Sequence, residues 1–433
     1  SVQWPRMKIL VVGGGGREHA LCSSLHRSPL VEEIFCTPGN PGIAEVADCL
    51  PVASGDIVEI ADLAETLHVD LTVVGPELPL SLGIVDEFIK RELPIFGPSL
   101  LAAQIESSKV FSKEFFRRHN IPTAEATVCQ TAEEARKAIK HFGFPVVLKA
   151  DGLAGGKGVL IIESDEDAER ALRLFFQERV FGAAGDRILV EEFLRGQEAS
   201  FLALFDGEVA VPLPTARDYK KVYDGDRGPN TGGMGAHSPA GVLNADTASQ
   251  VLKDILWPTL RGLQAEGRAF RGVLYAGLMV TDSGPKVLEY NARFGDPETE
   301  VILPRVTTDM ADVLLAAARG GLERFLPLEV KNEACVGIVL CAGGYPGNHE
   351  RGRPITGLAE AARLPGVEVF HAGTARDGDR LVTAGGRVLV VTATAPSMAE
   401  AAMHAYEAAD RIQFEGKHMR RDIASGGIRP SRI

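Results

Sequence analysis

The chain is poor in positive charge, in long apolar runs and in paired cysteines, and each shortage closes a class of function. Lys and Arg total 46 against 58 Asp and Glu, a net charge of −12. That balance argues against nucleic-acid or anionic-membrane partners, while leaving room for a basic cleft inside an acidic protein. No apolar run approaches the roughly 20 residues that span a bilayer. The six cysteines (Cys22, Cys36, Cys49, Cys129, Cys335 and Cys341) include no Cys-x-x-Cys pair and no His/Cys cluster at zinc spacing. They read as reduced, mostly buried thiols, and the expected compartment is the cytoplasm. Residues 1–6 lack the apolar stretch of a signal peptide and are read as a leader outside the fold. No repeat recurs at a fixed period, which excludes a solenoid. No serine or cysteine nucleophile stands by a plausible base, and His19, His237 and His371 are scattered.

What the chain does have is material for a core and an excess of glycine. Its 433 residues suggest about three domains. A composition of 45% hydrophobic and 24% charged residues is that of a folded protein. Glycine contributes 47 residues, about 11% of the chain where about 7% is usual. These glycines sit in short, separate clusters rather than in a linker.

The first hundred residues read as a parallel α/β unit. Strands are predicted over 9–12, 34–36 and 71–74, with a helix from about Arg17. Each strand runs into a Gly/Pro loop, and ligands of parallel sheets bind at the carboxyl ends of strands. Residues 94–98 close this unit. An α+β unit follows. Thr131 with Glu134 makes a capping box before a helix whose apolar face is Ala135, Ala138, Ile139 and Phe142. Strands at 145–149 and 158–162 flank a glycine-rich hairpin. Ser164 opens a second helix, and a strand over 187–190 ends at Glu191-Glu192-Phe193-Leu194. A larger α+β region extends to about 325, and a β-rich tail begins near 334.

Two glycine clusters are compared with known phosphate motifs. Gly13 to Gly16 follows a strand, but the third small residue of a dinucleotide fingerprint falls on Glu18 or His19, so NAD is not the expected ligand. Backbone N–H groups at the helix start still suit a phosphate. The stretch from Lys149 to Gly158 is not a Walker A loop, because Asp151 stands where its first glycine belongs. A hairpin carrying Gly155, Gly156, Lys157 and Gly158 can nevertheless lie over phosphates, with Lys149 pointing into the cleft. Further on, residues 287–293 alternate, placing Leu288 and Tyr290 on one side and Glu289, Asn291 and Arg293 on the other. A carboxylate and an amide oxygen two residues apart are hard donors for Mg²⁺ (or Mn²⁺) completed by substrate phosphates.

Strand, Gly-rich hairpin, strand, Glu191-Glu192-Phe193-Leu194, and then residues 289–298 resemble the ATP-grasp ligases. Residues 12–21, 149–154, 228–235 and 291–298 resemble one family among them, the glycinamide ribonucleotide synthetases (phosphoribosylamine–glycine ligases). The resemblance runs from Met7 to Ile423. It implies a multidomain α/β and α+β fold with four parts. These are an N-terminal parallel α/β substrate domain over 7–107, an ATP-grasp core over 108–126 and 194–328, an inserted lid over 127–193, and a C-terminal β-rich domain over 329–433. It also implies a chain with one ligase rather than a fused multi-enzyme form, and a monomer acting only on small molecules. The reaction implied joins glycine to 5-phosphoribosylamine at the expense of ATP through a glycyl phosphate, in purine biosynthesis.

By the same resemblance, Lys109, Lys149, Gly155, Gly156, Lys157 and Gly158 meet ATP phosphates. Glu191, Glu192, Phe193 and Leu194 hold the adenine by their backbone, and Glu198 takes the ribose. Glu289 and Asn291 bind the metal. Arg293, Lys157 and Asp218 are the implied catalytic groups, with Arg293 and Asp218 on glycine. Gly15, Gly16, Arg17, Glu18, Asn40, Glu77, Asn230, Gly232 and Gly233 complete the substrate site. The chain departs from the family pattern at Tyr219, where His is expected, and at His237, where Tyr is commoner. Within the superfamily, a carboxyaminoimidazole ribonucleotide synthase is the nearest alternative, and a nucleotide sensor without catalysis is a more distant one.

Overall fold

The computed structural model describes residues 6–152, 154 and 158–425. In the N-terminal unit, β1 (Met7–Gly13), β2 (Val31–Pro38), β3 (Asp48–Cys49), β4 (Leu71–Val74) and β5 (Ile95–Phe96) form a wholly parallel sheet in the order β3-β2-β1-β4-β5. Ile9, Leu10, Val11 and Val12 of the central strand are all inaccessible. That double-sided burial explains why the strand is an unbroken apolar run. The loops after β1, β2 and β4 therefore share one edge of the sheet.

The next sheet is antiparallel, in the order β6-β9-β7-β8, from β6 (Ala126–Cys129), β7 (Val146–Ala150), β8 (Val159–Ile162) and β9 (Ile188–Glu192). The helices Ala132–Phe142 and Asp165–Leu172 pack on it through Ala135, Ala138, Ile139, Ala168, Ala171 and Leu172. Thr131 and Ser164 cap them, each accepting a bond from the backbone N–H three residues on. Such a cap contributes about 1 kcal/mol. The reciprocal half of the Thr131 box is displaced by one residue, since Glu134 accepts from the N–H of Gln130 at 2.7 Å.

A third sheet, β11-β10-β16-β17, is built from β10 (Gln197–Asp206) and β11 (Ala210–Pro212), with two later strands. Between them come the short β12 (Arg217–Asp218), the hairpin β13 (Lys221–Tyr223) and β14 (Arg227–Asn230), and β15 (Gly235–Ser238). The third sheet then resumes with β16 (Arg271–Thr281) and β17 (Gly284–Asn291). The expected alternation along β17 breaks at a bulge: Gly277 pairs with Glu289 but Leu278 pairs with Val287, leaving Leu288 as the extra residue. Val287 and Tyr290 therefore enter the core together, while Leu288 packs beside Ala124, Leu194 and Met279. Leu288 and Tyr290 do not share a face.

The C-terminal unit contributes β18 (Ala334–Cys341), β19 (Val367–His371), the hairpin β20 (Thr374–Asp377) and β21 (Arg380–Thr383), and β22 (Arg387–Ala395). Its main sheet is ordered β12-β15-β18-β22-β19, so it incorporates two strands from the middle of the chain. One apolar cluster joins Ile9 and Val11 to Leu202 and Leu204 and to Cys335, Val339 and Val390. This shared core holds the N-terminal, central and C-terminal units against one another. All six cysteines are free, and five are buried. Among the described residues no helix is long and apolar enough to cross a membrane.

Candidate active site

A cleft of about 550 Å³ runs between β7–β9, β17, the N-terminal loops and the β12–β14 segment. Its apolar end is lined by Val147, Ile161, Phe193, Leu194 and Leu288. Glu191, Glu192, Phe193, Leu194 and Gly158 all line the cleft. Glu192 accepts a bond from the N–H of Glu125 at 3.0 Å. Gly155, Gly156 and Lys157 lie outside the described residues.

Two lysines occupy the middle. Lys109 opens the helix Lys109–Arg118, which Ser108 caps by accepting from the N–H of Phe111. Ser108 in turn donates to Asp151 at 2.8 Å, tying the helix start to the loop after β7. Burial pushes the Lys109 ammonium pKa down. Lys149, near the end of β7, lies 2.7 Å from one oxygen of Glu191, and it donates to the carbonyl of Leu288 at 3.3 Å.

Beyond the lysines is an acidic region that brings Glu198, Asp218, Glu289 and Glu298 around Lys220. Lys220 Nζ is 3.9 Å from Glu289. Asp218 raises the Lys220 pKa most, against the opposing effect of burial, with Glu198, Glu289 and Glu298 adding to it. Burial and then Asp218 lift the Glu298 carboxyl to about 7, and burial also raises Glu198. Glu289 behaves oppositely: burial pushes it up, but Lys220, Lys149, Lys109 and Arg293 together hold it below the usual carboxylate range. The ionised Glu289 and the amide oxygen of Asn291 form a hard donor pair that fits Mg²⁺ or Mn²⁺. No group of three or more His, Cys, Asp or Glu able to hold a metal occurs among the described residues. A pair of donors is what a cation completed by substrate phosphates requires.

Arg293 stands beside this pair. It donates to Asn291 Oδ1 at 3.3 Å, and its Nε lies 3.4 Å from Glu77 and 3.7 Å from Glu106. That Nε is buried without a hydrogen-bond partner among the described residues. Glu106, which sequence reasoning missed, is held in place by the N–H of Ala292 at 2.8 Å.

The N-terminal loops contribute less to the cleft than expected. Glu18 is buried, accepting from the N–H of Gly15 at 2.7 Å and from Arg17 Nε at 2.6 Å. The N–H of Arg17 points to Asp296 at 3.4 Å. Carboxylates of the protein therefore satisfy the helix start that sequence reasoning reserved for a phosphate. Gly16 is closed off by Glu300, whose Oε1 lies 2.6 Å from where a Cβ would stand. Asn40 also turns inward, donating to the carbonyls of Gly14 and His371 and accepting from the N–H groups of Gly42 and Ile43. Only Arg17 and Glu77 of this group line the cleft. Asn40 also leads to the histidines: His19 and His371 are not scattered but adjacent, the N–H of His371 donating to His19 Nδ1 at 2.8 Å.

Facing Arg17 is Arg387, a residue no sequence motif indicated. It lies 3.2 Å from Asp296 and donates to the carbonyls of Gly232 and Asp296. Asp218, Asn230 and Gly232 line the cleft nearby. Gly233 serves the backbone instead, with φ of +122° and Pro297 Cδ 2.5 Å from a hypothetical Cβ. Tyr219 and His237 are neighbours with ring centroids 5.8 Å apart, so the two departures from the family pattern form a single contact.

Two antiparallel sheets closing on a cleft with lysines, acidic groups and an apolar end are the architecture of an ATP-grasp ligase, and ATP is its co-substrate. The family models agree: the ATP-grasp domain of phosphoribosylglycinamide synthetase matches residues 107–299, its N domain residues 7–106 and its C domain residues 335–426. The chain belongs to the phosphoribosylglycinamide synthetase family. It is 46% identical over 420 residues to the phosphoribosylamine–glycine ligase of Caldanaerobacter subterraneus subsp. tengcongensis, covering 97% of this chain and 100% of that protein. The Escherichia coli O6:H1 protein of the same name is 48% identical over 421 residues, covering 96% of this chain and 98% of that one. The crystal structure of phosphoribosylamine–glycine ligase from Thermotoga maritima superposes with a TM-score of 0.83 at 39% identity, covering 96% of this chain and all of that one.

Proposed function

We infer that the chain ligates glycine to 5-phosphoribosylamine, converting ATP to ADP and phosphate and yielding glycinamide ribonucleotide for purine biosynthesis. Relatives of that name align with nearly the whole chain. The observation that carries the reading within the site is the continuity of the cleft. Lys109, Lys149, Glu289, Asn291, Arg293, Arg17 and Arg387 all line this one cavity.

A carboxylate is a poor acyl donor. In the proposed course, a glycine carboxylate oxygen attacks the γ-phosphorus of ATP, ADP leaves, and glycyl phosphate results. The ribosylamine nitrogen then bonds to the acyl carbon as the C–O bond to phosphate breaks. The protein's contribution is proximity and charge stabilisation.

We propose that Lys109 and Lys149 meet the phosphates, together with Gly155, Gly156, Lys157 and Gly158, and that the backbone of Glu191 to Leu194 receives adenine. Glu198 is assigned to the ribose. Mg²⁺ or Mn²⁺ on Glu289 and Asn291 would neutralise phosphate charge. The cleft-lining guanidinium of Arg293 supports a contact with the glycine carboxylate, and Asp218 with Glu298 supports one with its ammonium. Arg17, Glu77, Asn230, Gly232 and Arg387 are proposed for phosphoribosylamine, with Gly15, Gly16, Glu18, Asn40 and Gly233 as the frame that shapes them. We assign residues 7–107, 108–126 with 194–328, 127–193 and 329–433 to substrate, core, lid and C-terminal parts. A cytoplasmic monomer is part of the same proposal.

Coupled ADP release tests the assignment. Turnover is expected with glycine and fresh phosphoribosylamine. Turnover only with bicarbonate and aminoimidazole ribonucleotide would overturn it, and tight ATP binding without any ADP release would indicate a sensor.

A further inference from the structure

Lys113 lies one turn along the helix from Lys109, and it is almost fully buried. Its ammonium has three donors and three partners: Glu191 Oε1 at 3.0 Å, Thr123 Oγ1 at 2.8 Å and the carbonyl of Ala124 at 2.9 Å. The Thr123 hydroxyl is fixed in turn, donating to the carbonyl of Val287 at 2.7 Å. Lys113 therefore has no N–H left for a ligand.

Glu191 is equally committed. Its second oxygen meets Lys149 at 2.7 Å, so a single buried carboxylate lies between two ammonium groups. Lys149 divides its own donors between that oxygen and the Leu288 carbonyl at 3.3 Å. One N–H of Lys149 remains uncommitted among the described residues, and Lys149 lines the cleft. The two lysines come from different units: Lys149 and Glu191 from β7 and β9, Lys113 from the helix that begins at Lys109.

A buried ion pair adds little net stability over apolar side chains of the same volume. Three charged side chains held almost out of solvent are thus poorly explained as a fold stabiliser. They are well explained by the uncommitted N–H of Lys149, a residue that lines the cleft. Without Lys113, Glu191 would keep a buried, unpaired oxygen and be drawn toward Lys149 with both oxygens, taking up the donor that is otherwise uncommitted.

We propose that Lys113 is a positioning residue for nucleotide binding: through Glu191 it aims Lys149 at the ATP phosphates and latches the β7–β9 sheet to the core helix. This rests on the assignment of Lys149 to ATP. Burial lowers the Lys113 pKa while Glu191 opposes that effect, in keeping with the pairing.

The test is calorimetric titration of ATP and of adenosine into the full chain and its variants. Adenosine lacks phosphates, so a merely structural role would weaken both ligands alike. Lys149→Met is expected to reduce the preference for ATP over adenosine by roughly tenfold or more, the worth of one charge-assisted hydrogen bond. Lys113→Met should reduce the same preference while sparing adenosine, and the double variant should be no worse than Lys149→Met alone. If Lys113→Met fails to fold, the isosteric Glu191→Gln cuts the same link and should give the same loss. Loss of the preference in Lys149→Met, with the Lys113 and Glu191 variants retaining it, would overturn the positioning role alone. A preference unchanged in Lys149→Met would overturn the phosphate assignment beneath it.

Discussion

Tyr275 donates its phenolic hydrogen to Glu298 across 2.5 Å, and both side chains are buried. Burial, and then the neighbouring Asp218, lift the Glu298 carboxyl to about 7, while the Tyr275 bond pulls it back down. If ionised Glu298 receives the glycine ammonium, kcat/KM for glycine should rise with pH through about 7. Tyr275→Phe should move that limb to higher pH, as a pH–rate profile would show. The same shift affects stability. A carboxyl raised in the folded state contributes stability fully below its unfolded value near 4.5 and loses it as pH rises through 7. Glu298→Gln should flatten the urea-unfolding stability across that window.

Glu289→Ala is expected to abolish metal-dependent turnover, by about 100-fold or more, with the circular dichroism spectrum unchanged. Electron paramagnetic resonance of Mn²⁺ in the presence of ADP reads the same site without catalysis. Retained Mn²⁺ binding in the variant would contradict the metal role.

Asp296 pairs with the Arg387 guanidinium at 3.2 Å and accepts from the backbone N–H of Arg17, and both arginines hold its carboxyl below the usual range against burial. Asp296→Ala should leave the half-buried Arg387 guanidinium without its carboxylate, while Arg17 keeps Glu18. The expected destabilisation is about 3 kcal/mol in urea unfolding. It should be accompanied by a raised KM for phosphoribosylamine.

Gly233 adopts φ of +122°, and a Cβ there would lie 2.5 Å from Pro297 Cδ. Gly233→Ala is expected to cost about 1 kcal/mol or more, seen as a lower Tm. Gly143→Ala, with positive φ but open space around it, should cost less.

Much of the fold was legible because burial on both faces leaves a plain signature. The run through Ile9 and Val12 and the glycine loop after it could only be a central parallel strand and its turn. Lys149, Glu289 and Asn291 were legible for a related reason, since each is a polar residue at the end of a strong strand pattern. The bulge at Leu288 was not, because a bulge depends on the partner strand β16. Arg387 could not be read either: its Gly-Gly-Arg context is that of an ordinary turn into β22, and only the fold brings it to Arg17 and Asp296. Glu18 and Asn40 show the opposite limit. A polar side chain beside a glycine loop satisfies either a ligand or the loop's own backbone, and local sequence does not distinguish the two. Lys113, Glu106 and Lys220 stand on a helix or in short irregular segments, where a charged residue looks like any solvated one.

The most direct test of the account follows oxygen from glycine. Turnover of glycine labelled with ¹⁸O in its carboxylate, with phosphoribosylamine and ATP, should deliver one labelled oxygen to each phosphate released, as mass spectrometry of the phosphate would register. Phosphate released without label while glycinamide ribonucleotide accumulates would contradict activation of the glycine carboxylate by ATP.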